Sequence, residues 1–352
     1  MNYTEFTNYW IYNNDTIIVK PHFNKDISLI DFYDKITSIV FTNYDTIKYA
    51  IKSHYDYNYY HKTKSLSQFN NSVDNLPYWI LNITFGEYFN QSVNNLPLGI
   101  LYITFGKYFN QRIDNLPLGI LYITFGNNFN KPVDNLPQSL LNLTFGDYFN
   151  KNIDYLPQRI LNLTFGKFFD NNVNILPHSL QNLTFGFWFN CTVDNLPIEI
   201  LNLTFSSEFN QSVDNLPPKL LNLTFGCKFN QPVNNLPIGI LILIFNINFN
   251  QPIDNLPHTL LRLTIGNKFN KSLDNLPNSI LSIKFNDYYN NHFDFNEKIN
   301  CLPNSILEIN LPKNYNQEIK HIPPNLKKIS CSYFYKHIDN LKLNNIDIKY
   351  IK

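Results

Sequence analysis

The chain has 352 residues, of which 44% are apolar, and its 28 lysines and arginines nearly balance 27 acidic residues. This composition allows a sizeable core, and the balanced charge gives no reason to expect nucleic acid or an anionic membrane as a partner. The N-terminal residues show no signal-peptide pattern, and no segment has the roughly 18 apolar residues needed to span a bilayer. We therefore expect a soluble, intracellular protein.

Residues 1–68 form a divergent N-terminal region. The stretches "FNKDI" from Phe23 and "ITSIVF" from Ile36 predict one degenerate copy of a repeat that becomes regular further along the chain. Residues 45–68 fit no copy, and "TIKYAIKS" within them is compatible with either a short helix or a capping strand. This region is expected to cap the repeats that follow.

Residues 69–288 divide into eleven units of 20 residues without an insertion. Such a strict period is typical of a solenoid, in which each coil buries its apolar face only when neighbouring coils stack on it. In the unit 129–148, alternation around Leu143 predicts a short strand, and the recurrent Pro137 makes a helix across that segment unfavourable. The predicted inward side chains are Phe129, Val133, Leu136, Leu140, Leu143 and Phe145.

Two kinds of turn residue recur in every regular unit. Eight of the eleven glycines follow the strand directly, and Asn takes their place in two units, which predicts a left-handed turn with positive φ. Asn130, Asp134 and Asn135 lie between apolar anchors, where such side chains bond nearby backbone groups. We expect stacked copies of them to form polar ladders.

Residues 289–352 contain looser copies, such as "FNEKINCLPNSILEINL" from Phe295, and a C-terminal cap. The Phe-Asn opening, the Leu-Pro pair and the L-x-x-L-x-F strand resemble FNIP repeats, a leucine-rich-repeat-like family known chiefly from social amoebae and giant DNA viruses. The resemblance implies a mainly β solenoid with one short parallel strand per 20-residue coil and little helix. It also implies protein–protein interaction, inside the host cytoplasm if the protein is viral.

In this family the repeats often follow an F-box, which implies a link to ubiquitin-ligase components. Residues 1–68 show neither the leucine-proline opening nor the amphipathic helices of an F-box. The partner implied by the resemblance is therefore an unidentified protein.

No catalytic or cofactor-binding pattern emerges from the sequence. The eight histidines are scattered, the four cysteines fall at different repeat positions, and no phosphate-binding glycine motif is present. We expect no enzyme activity, no cofactor and no metal, and a buried thiol at Cys331. Six N-x-T sites on the strands, from Asn82 to Asn222, are formal glycosylation acceptors, and the row of outward Thr residues is compatible with ordinary strand pairing or a ligand surface.

The variable positions of the repeat are the candidates for specificity. The outward strand position and the two positions after the glycine accept Glu, Lys and Arg in some units, so they cannot face a closed core. Aromatic residues there predict either an exposed contact stripe or rings that fold back as packing. This predicted aromatic stripe, a candidate partner-binding surface, consists of Tyr88, Tyr102, Tyr108, Tyr122, Tyr148, Phe168, Phe187 and Trp188.

These patterns favour a non-catalytic scaffold that binds a protein through its strand-side face. The alternative is a structural or surface-displayed component that self-associates or carries glycans.

Overall fold

The computed structural model describes residues 10–30, 32, 34–42, 66–286, 293–342, 344 and 346–351. The chain forms two compact units, Met1–Phe169 and Asp170–Lys352. The stretch "TIKYAIKS", for which a helix and a strand were both compatible, lies outside the described residues. The fold is a parallel β-solenoid with coils of about 20 residues, as the repeat predicts.

Each regular coil contributes one strand of three or four residues. In the coil of Leu143, that side chain points into the core, whereas Asn142 and Thr144 on either side stay half-buried on the outer face. The strand bonds the coil before it and the coil after it: the N–H of Asn142 donates to Leu121 O at 3.1 Å. Period-2 alternation therefore orients the whole strand.

The described residues of the first unit form eight strands and a short 3₁₀ helix, Ile27–Leu29. Strands β1 and β2 form an antiparallel hairpin, whose turn contains Asn14 with a φ of 55°. From β2 onward each strand pairs in parallel with the next, and from β4 onward the paired residues are 20 positions apart. The strands are β1 Trp10–Asn13, β2 Thr16–Val19, β3 Ser38–Phe41, β4 Asn82–Thr84, β5 Tyr102–Thr104, β6 Tyr122–Thr124, β7 Asn142–Thr144 and β8 Asn162–Thr164.

In the part of the second unit that the structure describes, nine strands pair in parallel. The offset between paired residues is 20 except at two places. Ser282 pairs with Glu308, because six extra residues precede that coil, and Lys328 pairs with Asp347, 19 positions further on. A five-residue helix, α1 (Ile338–Lys342), lies before the last strand. The strands are β9 Asn182–Thr184, β10 Asn202–Thr204, β11 Asn222–Thr224, β12 Ile242–Ile244, β13 Arg262–Ile265, β14 Ser282–Phe285, β15 Glu308–Asn310, β16 Lys328–Ser332 and β17 Asp347–Ile351.

Stacked phenylalanines dominate the core. Phe145 packs on Phe149 of its own coil turn with ring centroids 3.7 Å apart, and on Phe165 of the next coil at 5.7 Å. All six side chains predicted to point inward in the unit 129–148 are buried. Burying six such side chains contributes about 10 kcal/mol per coil before conformational entropy is subtracted.

The predicted left-handed turn at the recurrent glycine after the strand is wrong. No glycine among the described residues has a positive φ. A Cβ atom on Gly126 would instead lie 1.9 Å from the carbonyl oxygen of Gly106 in the preceding coil. Glycine is needed here because two backbones approach closely. Since Ser206 and Asn246 occupy the same position with a Cβ atom, this approach belongs to the glycine-bearing coils and not to every coil.

The predicted polar ladder is present and links consecutive coils. The Oδ1 atom of Asn110 accepts the backbone N–H of Asn130 at 3.0 Å, and Asn130 in turn accepts that of Asn150 at 3.1 Å. Each asparagine thus satisfies a backbone donor that has no partner within its own coil. We call this row the asparagine ladder.

Part of the N-terminal region also stacks on the regular coils. The ring of Phe23 packs against Phe69 of the first regular coil, with centroids 5.9 Å apart. Strand β3, which contains the "SIVF" residues, pairs in parallel with β4. A repeat too divergent to match the consensus therefore retains its place in the solenoid.

Candidate interaction surfaces

The aromatic stripe lies where each strand ends and on the outer face of the strands. The strand passes through a buried Phe and the glycine position into a two-residue turn that protrudes from the core. Seven members of the stripe are between 36% and 52% exposed, and Tyr108 is half-buried. These side chains are therefore at least partly accessible to solvent.

In the first unit, stripe residues in neighbouring coils stack as pairs. The rings of Tyr88 and Tyr108 lie 5.1 Å apart and 10° from parallel, and the Nζ of Lys107 lies 5.2 Å from the ring centroid of Tyr108. The N–H of Tyr108 also donates to Glu87 O at 3.0 Å, which fixes the turn. Both ring and backbone are thus held by the adjacent coil.

A second pair repeats this arrangement further along the unit. Tyr148 and Phe168 stack at 5.0 Å, and the Nζ of Lys167 lies 5.4 Å from the Phe168 centroid. A lysine over an aromatic face contributes about 0.5–1 kcal/mol at exposed sites. Since one face of each ring meets its neighbour, the partner-accessible part is the remainder of each ring.

Tyr102 and Tyr122 form a third pair on the outer face of strands β5 and β6. Their ring centroids are 4.6 Å apart, the tightest of the three pairs. They stand opposite each other in the strand register, where one coil follows the next. Position in the register, rather than any special loop, brings these two rings together.

Phe187 and Trp188 belong to the second unit and form a local contact. Their rings meet edge to face at 5.2 Å with an interplanar angle of 66°. Both are adjacent residues of one turn, so this pair does not repeat the coil-to-coil stacking of the first unit.

The two interpretations of the stripe, packing and exposure, turn out to be compatible. The rings pack on each other between coils, and each still leaves at least a third of its surface to solvent, Tyr108 excepted. A stacked ring has already lost much of its rotamer freedom, so a partner would order little more on contact.

The outer strand asparagines bond to one another through their side chains. The Nδ2 of Asn162 donates to the Oδ1 of Asn142, and the Nδ2 of Asn222 donates to that of Asn202. Asn82 donates in the same direction to the hydroxyl of Ser38. These amide nitrogens are the atoms that glycosylation would modify, and here they are half-buried and serve as hydrogen-bond donors.

Two of the described thiols, Cys191 and Cys331, have a raised pKa. Burial raises the pKa of the Cys191 thiol to about 11, with a further contribution from the Asp170 carboxylate beside it. Burial likewise raises the pKa of Cys331, which is buried as predicted. Neither thiol is therefore a thiolate near neutral pH.

Within the same described residues, no group of three or more His, Cys, Asp and Glu side chains is arranged to hold a metal ion. No described helix is both long and apolar enough to cross a membrane.

One exposed surface was missed from the sequence. Tyr78, Leu98 and Leu118 occupy the position after the Leu-Pro pair in three consecutive coils and are 79%, 84% and 80% exposed. Other coils have Gln, His, Asn, Pro or Ile at this position, a variability that resembles that of an ordinary turn. The available signal was the run of three large apolar residues at an interval of 20.

A family model described as FNIP Repeat matches residues 109–148, 129–168, 229–268 and 269–314. The chain carries FNIP repeats. The matched segments lie in both units and share the strand, the Leu-Pro pair and the Phe-Asn turn described above.

Among solved structures, the FNIP solenoid is similar to CroV588, a giant-virus protein described as a novel circular LRR (leucine-rich-repeat) protein. The two chains are 32% identical with a TM-score of 0.68, over 93% of this chain and 58% of that one. This chain therefore spans somewhat more than half the length of CroV588. YopM from Yersinia enterocolitica aligns at 17% identity with a TM-score of 0.44, over 73% of this chain and 56% of that one. No curated protein sequence matches the chain.

LRR-like scaffolds of this kind commonly mediate protein interactions and are typically non-enzymatic.

Proposed function

We propose that this FNIP-repeat protein is a non-catalytic scaffold that recognises a partner protein through the strand-side face of its coils. The observation that carries the proposal is the coil-to-coil stacking of exposed aromatic side chains in the first unit, the pairs Tyr88–Tyr108, Tyr102–Tyr122 and Tyr148–Phe168. Tyr and Trp supply much of the binding energy in protein interfaces, and an exposed apolar cluster marks a contact surface.

The stripe offers a partner a pre-ordered surface of aromatic rings and hydroxyl groups. Between the coils of Tyr108 and Tyr148 lies a polar gap, where the Nδ2 of Asn127 donates to the Asp147 carboxylate at 2.6 Å. The aromatic pairs on each side of this gap are separate anchors. A protein surface with two apolar pockets and a polar region between them fits this pattern.

The location inside a cell and the absence of catalysis belong to the same proposal. The ubiquitin-ligase connection implied by the FNIP family is one specific version of it, in which the captured protein would be accompanied by ligase subunits.

The test is proximity labelling with the intact protein and the double variant Tyr148→Ala/Trp188→Ala in the native host cell. These are the two most exposed members of the stripe, so their removal costs little core packing. The matched control is Tyr155→Ala, since Tyr155 is 68% exposed but lies on the turn after Asp154, away from the strands.

Labelled proteins that disappear with the double variant and persist with the Tyr155→Ala control support recognition by the stripe. Circular dichroism of both variants must match that of the intact protein. Identical protein lists from all three forms contradict the proposal.

A second candidate function, self-association, is favoured by the C-terminal edge of the sheet. The N–H of Asp347 donates to Lys327 O in the direction of β16, so the N–H groups of Ile348 and Tyr350 point the other way. Among the described strands of the second unit, none pairs with that side of β17. The ring of Tyr333 contacts that of Tyr350, with centroids 5.4 Å apart. The next residue, Phe334, is 85% exposed.

An open strand edge beside exposed aromatic rings is a common route to pairing between chains. Sedimentation velocity over a hundredfold concentration range distinguishes this candidate. Self-association is supported if the mass of the intact protein rises with concentration and that of Tyr350→Pro stays constant. A constant monomer mass for the intact protein contradicts this candidate function.

A further inference from the structure

The last strand of the second unit, β17, presents backbone groups that other coils use to bond their successors. The N–H of Phe225 donates to Ile244 O of the following coil at 2.8 Å, and Leu221 O accepts from that coil as well. Tyr350 and Ile346 occupy the same two repeat positions in the last coil. Among the described strands of this unit, β17 pairs with β16 alone, so the N–H of Tyr350 and the carbonyl of Ile346 point away from the sheet.

The same strand leaves the end of the core partly uncovered. Ile348 stands beside Ile329 of β16, which is fully buried. Tyr350 likewise stands beside the buried Cys331. Both side chains of β17 therefore lie on the core side of the sheet. Ile348 is nevertheless only half-buried and Tyr350 is 44% exposed, since no later coil in the described part of this unit covers them.

The outer side of β17 carries one negative and one positive side chain. Asp347 and Lys349 alternate with the core-side residues, and both are exposed. Neither forms an ion pair with a residue that the structure describes. These two charges, two positions apart on one strand edge, can each be matched by the same strand of a second copy running in the opposite direction.

The charges select one register for an antiparallel pair of β17 strands. With Ile348 opposite Ile348 of the second copy, Asp347 of each strand stands opposite Lys349 of the other. A shift of two residues in either direction would instead set Asp347 opposite Asp347 or Lys349 opposite Lys349. Opposite charges across a strand pair stabilise it and like charges destabilise it. A shift of one residue would turn the outer side chains of one strand toward the core side of the other.

The selected register also satisfies the open backbone groups. Ile348 of each copy donates its N–H to Ile348 O of the other, and the N–H of Tyr350 faces Ile346 O, so the two-fold symmetry gives about four hydrogen bonds. On the core side, the half-buried Ile348 side chains meet, and each Tyr350 covers Ile346 of the other copy. Polar edge, outer charges and uncovered core are thus matched at once.

We propose that two copies of this chain associate through antiparallel pairing of their β17 strands, centred on Ile348, with Asp347 of each copy paired with Lys349 of the other. This inference rests on the second candidate function, self-association, and specifies its geometry. Because both copies use the same edge, the assembly closes as a dimer. The contrasting arrangement, β17 against β1 of another copy, leaves both charges unmatched, since Trp10–Asn13 contains no charged residue.

The experiment measures, by sedimentation equilibrium, the mass of the intact protein and of two charge variants, alone and mixed. Asp347→Lys leaves only positive charge on the outer side of β17, and Lys349→Asp leaves only negative charge. We expect each variant alone to dimerise about tenfold less tightly than the intact protein, or more weakly still. An equimolar mixture should recover the affinity of the intact protein, because every lysine then stands opposite an aspartate. That recovery would also show that both variants are folded.

The matched control is Lys284→Asp. Lys284 is exposed at the same repeat position as Lys349, but its strand, β14, is paired on both sides, with β13 and β15. We expect this variant to dimerise as tightly as the intact protein. A loss of affinity equal to that of Lys349→Asp would mean that net charge controls the association, which contradicts the location of the interface.

The remaining outcomes separate this geometry from self-association in general. A monomeric intact protein at every concentration overturns both. A dimer that persists in both charge variants, or a mixture that does not recover it, overturns the β17 pairing and leaves self-association standing. Masses that grow beyond the dimer indicate end-to-end growth and overturn the closed pairing.

Discussion

The close approach of coils at the glycine position makes Gly126→Ala a sharp test of the fold. An added Cβ would lie 1.9 Å from Gly106 O, whereas ordinary contacts begin at 3.4 Å, so the two coils must separate locally by about 1.5 Å. Two hydrogen bonds span this pair of coils on either side of the glycine: Phe105 N–H to Thr124 O at 2.8 Å and Asn128 N–H to Lys107 O at 2.9 Å.

A separation of that size breaks both bonds, each of which contributes about 0.5–1.5 kcal/mol net. Together with the looser packing of the rings beneath, we expect Gly126→Ala to lower the free energy of unfolding by about 2–4 kcal/mol. The matched control is Gly119→Ala, where the added Cβ has ordinary contacts. That change is expected to be neutral or to stabilise by about 0.4–1 kcal/mol, because alanine restricts the unfolded chain.

Equilibrium unfolding in urea, followed by circular dichroism and by tryptophan fluorescence, measures both variants. Two probes are needed because long repeat arrays can depart from two-state behaviour. If Gly126→Ala unfolds at the same urea concentration as Gly119→Ala, the close-approach explanation is wrong and the glycine position needs another cause.

Three further predictions concern the asparagine ladder, the core and a buried tyrosine. Asn130→Ala should lower the free energy of unfolding by about 1–2 kcal/mol, because it leaves the N–H of Asn150 without its acceptor. Asn130→Asp keeps an acceptor and should be nearly neutral; thermal unfolding measures both variants. Phe145→Ala should cost about 3–5 kcal/mol in urea unfolding. Burial raises the pKa of Tyr335 to about 12, so the folded state holds that proton more tightly than the unfolded state. Stability should therefore fall as pH rises from 10 to 12, and Tyr335→Phe should reduce that fall.

Each of these predictions has a clear contrary result. Equal destabilisation by Asn130→Ala and Asn130→Asp would show that the side-chain acceptor is not what matters in the ladder. A loss below about 1 kcal/mol for Phe145→Ala would mean that the core collapses around the missing ring. If the stability of Tyr335→Phe falls with pH as steeply as that of the intact protein, the loss of stability at alkaline pH comes from other groups.

Much of the fold could be predicted because the same residue types recur at the same positions in eleven copies of the repeat. The position of Leu143 is Leu or Ile in every regular coil, so the inward face could be assigned with little ambiguity. The asparagine ladder could be anticipated for the same reason, since Asn130 recurs wherever the chain must change direction.

The glycine error has a physical origin. Glycine with an occasional asparagine is expected both where φ is positive and where two backbones approach closely, and one chain's pattern does not separate these causes. Only the distance from Gly126 to the preceding coil decides between them.

For the candidate surfaces, the solvent exposure of the side chains could be predicted from the sequence, but the contacts between those side chains could not. Glu and Lys at the stripe positions indicate solvent, but the stacking of Tyr88 on Tyr108 depends on how far apart successive coils lie. The exposed row of Leu98 and Leu118 was missed because polar residues at that position in other coils made it resemble an unconstrained turn.

The constant offset of 20 residues between bonded partners has a consequence for how such a gene can change. In the ladder, Asn130 bonds its neighbours 20 positions away on each side, and its counterparts Asn110 and Asn150 present the same groups. Deletion of one whole unit, such as residues 121–140, would bring chemically equivalent partners into register. Deletion of a single residue would displace every contact downstream of it within that coil. In-frame loss or gain of 60 bases is therefore expected to preserve the contacts between regular coils, whereas loss of a single codon is not.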